Sequence, residues 1–250
     1  MSDQECTLVS VITVCYNSEK TIRKTIESVL NQTYTNIEYI VIDGKSTDAT
    51  LNVVSEYRIR FGDRMKVISE PDHGIYDAMN KGIRLAKGQL IGIINSDDYY
   101  EDSAVEDVVG AWDGSSLQIL HGLMRSIVNG KACSVMMNYS DWLQEKMIQH
   151  PSCFVTKDVY NIIGLFNTDY KYVADYEFML RAKQNNDVTF VPVYSIIANF
   201  CDGGMSESSA AALEELKLKR RKGIISYFQY ILLCLGGPLK SKLYKWIWNK

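Results

Sequence analysis

Four short stretches of this sequence deliver carboxylates, amides or hydroxyls directly after runs of apolar residues. They are Tyr16-Asn17, Asp43-Gly44, Glu70-Pro71-Asp72 and Asn95-Ser96-Asp97-Asp98. The last is the most telling. Adjacent carboxylates after the buried-type run LIGII repel one another unless a cation or donor group offsets them. Hard oxygen ligands of this kind suit Mg²⁺ or Mn²⁺, which binds one or two carboxylates and fills its shell with substrate phosphates. The competing structural reading is that Asp97 and Asp98 cap a helix following Tyr99-Tyr100. The sequence has neither GxxxxGK nor GxGxxG, so a diphosphate at this edge would need a cation in place of a glycine-rich nest.

The elements that must position these groups follow from hydrophobic period. Nearly continuous apolar runs at 8–15, 37–43, 65–69 and 89–95 read as strands buried on both faces. Between them, Ile22, Ile26, Val29 and Leu30 share one helical face, with Asn17 and Ser18 as candidate caps. Ser46 and Thr47 open a second helix through Tyr57, and a third covers 75–86. This alternation predicts an α/β fold: a Rossmann-like, mostly parallel sheet flanked by helices. Ligands in such sheets lie outside the carboxyl ends of the strands, where all four polar stretches fall. Past residue 100 the spacing predicts a helix near 103–112, short edge or antiparallel strands in LQILHG and ACSVMM, and a helix over 172–184. VTFVPV and SIIANF read as two further strands, and the last 45 residues as amphipathic helix broken near 236–238. The expected organisation is one mixed domain, 1–215, with a basic helical tail, 216–250.

In ordered blocks over roughly 8–206, the chain resembles the inverting family 2 glycosyltransferases of GT-A fold. VSVITVCYN resembles their opening strand, NQTYTNIEYIVIDGKSTDAT their second strand and nucleotide loop, and NSDD their metal-binding Asp motif. ADYEFMLR resembles the helix carrying the catalytic base. EPDHGIYDAMNKGI and HPSCFV resemble a bacterial subgroup that builds cell-surface polysaccharides. The resemblance implies that Val14 and Tyr16 contact the nucleotide, with Asp43 near the base. It also implies Asp97 near the ribose and metal, and Asp98 as the main ligand of Mn²⁺ or Mg²⁺. The sequence departs from the commoner pattern at Val14 (often proline), at Gly44 (often a second acid touching the pyrimidine) and at Met79 (often arginine).

Asp175 and Glu177, two residues apart on a helix, point about 200° apart, so only one faces a cleft. Glu177 stands four residues before Arg181, a good exposed ion pair, while Asp175 lies beside Val173 and Met179. The resemblance also selects Asp175 as general base in a single displacement from a nucleotide-diphosphate sugar, preferably a UDP-sugar. His150 before Pro151 is a candidate contact to the diphosphate or acceptor, with a packed histidine as the alternative. His73 and Asp77 flank the donor-side loop, and CDGGMSES (201–208) offers paired glycines for close approach to a ligand.

Composition bounds the remaining classes. A chain of 250 residues, 46% hydrophobic and 23% charged, is an ordinary globular protein. Its net charge of −3 suggests no dedicated nucleic-acid binder, yet the average hides a division. Residues 1–215 carry 18 basic against 30 acidic side chains, and the nine charges beyond are all positive. The tail interleaves lysine with Trp246 and Trp248, as a helix lying in a membrane interface would. Its apolar stretch 224–235 is too short to span a bilayer. Six cysteines without a CxxC pair, and no signal-type start, point to the cytoplasm, peripheral at the inner face of the cell membrane. The expected partners are a nucleotide-sugar donor and a saccharide or polyprenyl-linked saccharide acceptor. Two alternatives are a Mg-dependent nucleotidyltransferase and a non-catalytic scaffold. The first would need a basic loop after the first strand, where TVCYNSEK offers only Lys20. The second would have lost the carboxylates.

Overall fold

The structure, a computed structural model, describes residues 7–204 and 208–235. The expected alternation is present: β1 Val9–Cys15, α1 Ile22–Leu30, β2 Ile37–Asp43, α2 Thr50–Phe61, β3 Met65–Ser69, α3 Ile75–Leu85 and β4 Leu90–Ile93. These four strands are parallel in the order β3-β2-β1-β4. Every residue of β1 is buried, which explains its apolar run. One face of β1 and β2 (Val9, Val11, Tyr39, Val41) packs with Ile22, Ile26, Val53 and Val54 of α1 and α2. On the other face Ile12 meets α3 so closely that a Cβ on Gly82 would lie 2.5 Å from its Cγ2.

The second half completes the sheet. β5 Tyr99–Tyr100 and α4 Ala104–Ala111 precede β6 Gln118–Val128, β7 Lys131–Met136 and β8 Cys153–Thr156. α5 Lys157–Ile163, α6 Ala174–Lys183 and β9 Thr189–Cys201 follow. The order continues β4-β8-β6-β9-β5, with β8 antiparallel to β4 and β7 hanging on β6 as an exposed edge.

Several expectations are corrected. VTFVPV and SIIANF form one strand, β9, whose register against β6 shifts around Gly122–Met124. Tyr99-Tyr100 forms a short strand paired with β9, and the helix expected near 103–112 follows as α4, with its cap position at Ser103 and not at Asp97 or Asp98. Asn17 and Ser18 do not cap α1, whose cap position is Thr21. Asn17 takes a left-handed φ of 48° and its side chain accepts the Thr47 N–H at 2.8 Å, tying the first loop to the second. α2 begins at Thr50, later than Ser46, because Asp48 accepts the Thr50 N–H at 3.0 Å.

The chain divides into two compact units. The larger runs to Asp169 and resumes over Ala174–Gly204; the smaller takes Tyr170–Val173 and the residues from 205 onward. Within the smaller unit, α7 Ser209–Arg221 runs through position 215, so the change in charge falls inside a helix, and α8 Tyr227–Leu235 follows. The break expected at 236–238 lies outside the described residues.

Candidate functional site

The loops at the carboxyl ends of the parallel strands are bound to one another. The Gly44 N–H donates to the Cys15 carbonyl at 2.8 Å, and the Ser18 and Ser96 hydroxyls meet at 2.8 Å. Glu70 N–H donates to the Asp43 carbonyl at 3.0 Å. A backbone held this way positions side chains before any ligand arrives.

Asp43 ends β2 with no exposed surface, and both its oxygens are engaged. It accepts from the Ser46 N–H at 3.1 Å, the Ser46 hydroxyl at 2.5 Å and the Ser69 hydroxyl at 2.6 Å. Its work is to brace the loop after β2. Val14 is buried within β1 at 5% exposure, whereas Tyr16, two residues on, leaves the sheet 63% exposed.

Asp97 and Asp98 stand after β4. Asp98 is 1% exposed: Oδ1 accepts the Cys201 N–H at 2.9 Å, and Oδ2 is buried with no hydrogen-bond partner. Burial, then the neighbouring Asp97, pushes its carboxyl up to about 8, against the opposing pull of the Cys201 N–H and Asn95. Burial raises Asp97 as well. Thr25 of α1 clasps the turn, its hydroxyl donating to the Asp98 carbonyl at 2.6 Å. An orphaned carboxylate oxygen beside a second carboxyl fits a hard divalent cation that completes its shell with substrate phosphates. No cluster of three or more His, Cys, Asp or Glu suited to a metal occurs among the described residues, so an all-protein cage is not what this edge offers.

Asp175 sits in the first turn of α6. Its Oδ1 accepts the Tyr76 hydroxyl at 2.8 Å and the Tyr176 N–H at 2.9 Å. Tyr76 opens α3 and is buried, so desolvation and then Asp175 hold its hydroxyl firmly protonated and donating. Glu177 pairs with Arg181 at 2.7 Å as the spacing predicts, but buried at 5% exposure instead of on the surface. Arg181 also donates to the Ile163 and Leu165 carbonyls, so this pair anchors α6.

His150 reaches the same edge through sheet register. β8 runs antiparallel to β4, with Gly92 opposite Phe154, so the residues just before β8 lie beside the carboxyl end of β4. His150 is 7% exposed with its ring edge-on to Phe166. Burial lowers its pKa, and the charge of Asp175 opposes that shift. Asp77 is half-buried at the start of α3, accepting the His73 N–H at 3.0 Å and pairing with Lys81 at 3.5 Å. Burial opposes its charge, but His73 and Lys81 outweigh it and hold the carboxyl below its ordinary value. Of the 201–208 loop, residues 205–207 lie outside the described residues.

Sequence reasoning missed Tyr76, Thr25 and the Ser18–Ser96 contact. Each acts through a partner 70 or more positions away, a pairing that no local spacing announces.

Comparison with known proteins agrees with this architecture. The model of Glycosyl transferase family 2 matches residues 10–165. A PGL/p-HBAD biosynthesis glycosyltransferase of Mycobacterium tuberculosis is 27% identical over 224 residues, covering 87% of each protein. Chondroitin synthase of Escherichia coli is 33% identical over 183 residues, 71% of this chain but 26% of that protein. Among solved structures, S. aureus TarS 1-349 in complex with UDP-GlcNAc has a TM-score of 0.69 at 22% identity, covering 85% of this chain and 65% of its own. The mannosyltransferase PcManGT from Pyrobaculum calidifontis, in complex with GDP-Man and Mn2+, has a TM-score of 0.65 at 16% identity, covering 87% and 64%. The chain thus spans less than two thirds of either solved protein, and these two likenesses establish the fold alone. With more than half its length matched by the family model, the chain belongs to glycosyl transferase family 2 and has the GT-A fold.

Proposed function

We propose that this enzyme moves a sugar, with inversion, from a UDP-sugar to a hydroxyl of a saccharide or lipid-linked saccharide during cell-surface polysaccharide synthesis. The observation that carries the reading is the pairing of two differently prepared carboxyls on one sheet edge: Asp98 with an orphaned buried oxygen, and Asp175 oriented by Tyr76. The relatives' names support the substrate class, since those proteins are named for PGL/p-HBAD biosynthesis and chondroitin synthesis, and UDP-GlcNAc is bound to TarS in its complex.

Asp97 and Asp98 would hold Mn²⁺ or Mg²⁺. Such a cation offsets the charge of the departing diphosphate. Tyr16 offers an exposed ring to the base, with the backbone at Val14 beside it. Tyr76 and the Tyr176 N–H occupy Oδ1 of Asp175, leaving Oδ2 to take the proton of the acceptor hydroxyl as its oxygen attacks the anomeric carbon. The bond from that carbon to the diphosphate oxygen breaks on the opposite face. His150, kept neutral by burial, is placed to donate or accept a hydrogen bond at the acceptor side without adding charge. Retention of Asp97, Asp98 and Asp175 argues against a non-catalytic scaffold.

Asp175→Asn should cut transfer by about 10²–10⁴-fold, the usual worth of a positioned base, while UDP affinity stays within about twofold. Proton NMR of the product would report the anomer. Near wild-type transfer by the variant would remove Asp175 from this role, and a retained anomeric configuration would remove the single displacement.

Enzymes acting on lipid-linked acceptors work at a membrane, and the basic tail supports peripheral attachment at the inner face. No helix among the described residues is long and apolar enough to cross a bilayer.

A further inference from the structure

Gly44 follows Asp43 at the end of β2, and its backbone does not require glycine, since its φ lies outside the left-handed region. What requires glycine is a neighbour. A Cβ at Gly44 would stand 2.5 Å from Asp72 Oδ2, 3.3 Å from Asp72 Cγ and 3.4 Å from Tyr16 Cδ2. The carboxylate of Asp72, from the loop after β3, therefore fills the space that a side chain at position 44 would take, against the exposed ring of Tyr16.

That carboxylate is aimed. Its Oδ1 accepts the Gly74 N–H at 2.9 Å, which leaves Oδ2 as the oxygen directed toward Gly44 and Tyr16. The loop bearing it is braced on both sides: Lys81 donates to the Pro71 carbonyl at 2.7 Å and pairs with Glu70 at 3.1 Å, and the His73 N–H is held by Asp77. Asp43, the other carboxyl beside Tyr16, is fully buried and its oxygens are already taken by Ser46 and Ser69. Of the two, only Asp72 has an acceptor to offer a ligand.

We infer that Asp72 selects the base of the donor, its Oδ2 accepting the N3–H of a uracil that lies against Tyr16. A carboxylate is an acceptor only. Uracil presents a donor at N3, whereas cytosine presents a lone pair there, which the carboxylate repels. A site built to hydrogen-bond one group rejects the analogue lacking it, because a polar atom is left unpaired. This inference rests on the nucleotide-sugar reading above and names the residue that makes the uridine choice.

The test is the affinity of UDP, CDP and GDP, each with Mn²⁺, for the full chain, by calorimetry. Wild type should prefer UDP over CDP by about tenfold or more, the worth of a hydrogen bond to a charged group. Asp72→Asn, which keeps the bond to Gly74 and adds a donor, should weaken UDP by a similar factor and narrow or reverse the preference. Gly44→Ala, whose Cβ displaces the Asp72 carboxylate, should do the same. The exchange Gly44→Asp with Asp72→Gly returns a carboxylate to this space and should restore UDP preference. Unchanged UDP preference in both Asp72→Asn and Gly44→Ala, with wild type binding UDP, would overturn the inference and leave the nucleotide-sugar reading standing. Wild type binding none of the three nucleotides would overturn both.

Discussion

At the scale of the residue, the two site carboxyls are prepared in opposite ways. Asp175 is surrounded by donors, and Asp98 is deprived of them on one oxygen. The deprivation has a measurable cost. With its carboxyl raised to about 8 in the folded chain and near 3.8 in the unfolded one, metal-free Asp98 binds a proton on folding. Stability then falls as pH rises through that window, by about 1.4 kcal/mol per pH unit for one proton. His121 acts in the reverse sense. Burial lowers it to about 4 from 6.5, so its contribution is complete above 6.5 and is lost as pH falls toward 4. Between pH 6.5 and 8 the histidine has finished titrating and Asp98 governs. Urea denaturation of metal-free protein should therefore show stability declining over pH 6.5–8, and Asp98→Asn should flatten that decline. A wild-type profile that is flat or rising there would contradict the account of Asp98. Below pH 6.5, His121→Gln should lessen acid destabilisation in the same assay.

Asp97 and Asp98 stand out in the sequence because two adjacent acids follow a buried run. Asp175 emerges there only through helix geometry and resemblance, and it lies beyond residue 165, where the family match stops. Tyr76 could not be read, since its hydroxyl acts on a residue 99 positions away.

At the scale of the element, the site depends on β4 delivering Asn95–Asp98 at a fixed height beside β8. The two strands approach closely at Gly92, opposite Phe154, where a Cβ would fall 2.4 Å from the ring. The Phe154 ring lies over Gly92 and leaves no room for even a methyl group. Gly92→Ala should destabilise the chain by about 1–3 kcal/mol, as overpacking does, with a lowered urea midpoint. A midpoint within error of wild type would show that Phe154 yields freely. The first four strands were legible because parallel strands buried on both faces are continuous apolar runs bounded by polar turns. The later half was less so. VTFVPV and SIIANF read as two strands with Tyr194 between them, while the long pairing with β6 keeps β9 as one across the register shifts. β7 answers to the edge strand expected in ACSVMM, antiparallel to β6 and exposed at all six positions.

At the scale of the whole molecule, the charge division is partly occupied from within. In the smaller unit Lys219 pairs with Glu215 at 2.7 Å, and the Arg220 guanidinium lies 4.7 Å from the Tyr227 ring. α8 nevertheless leaves Tyr227 and Phe228 more than 60% exposed, at 63% and 71%. Exposed aromatics beside basic residues are what an anionic interface binds. Flotation with vesicles containing anionic lipid should carry the full chain and not a chain ending at residue 216, with binding weakened at high salt. Equal flotation of both would place any membrane contact elsewhere.

On the proposed function, this sheet edge handles a nucleotide-diphosphate sugar through its strand-end carboxylates. The direct measurement is hydrolysis of a panel of nucleotide sugars by the full chain with Mn²⁺, set beside Asp98→Asn. Wild type should turn over a UDP-sugar, and the variant should do so about a hundredfold or more slowly, the scale on which single transition-state charge contacts act. Turnover that is indifferent to Asp98, or confined to sugars without a nucleotide diphosphate, would contradict it.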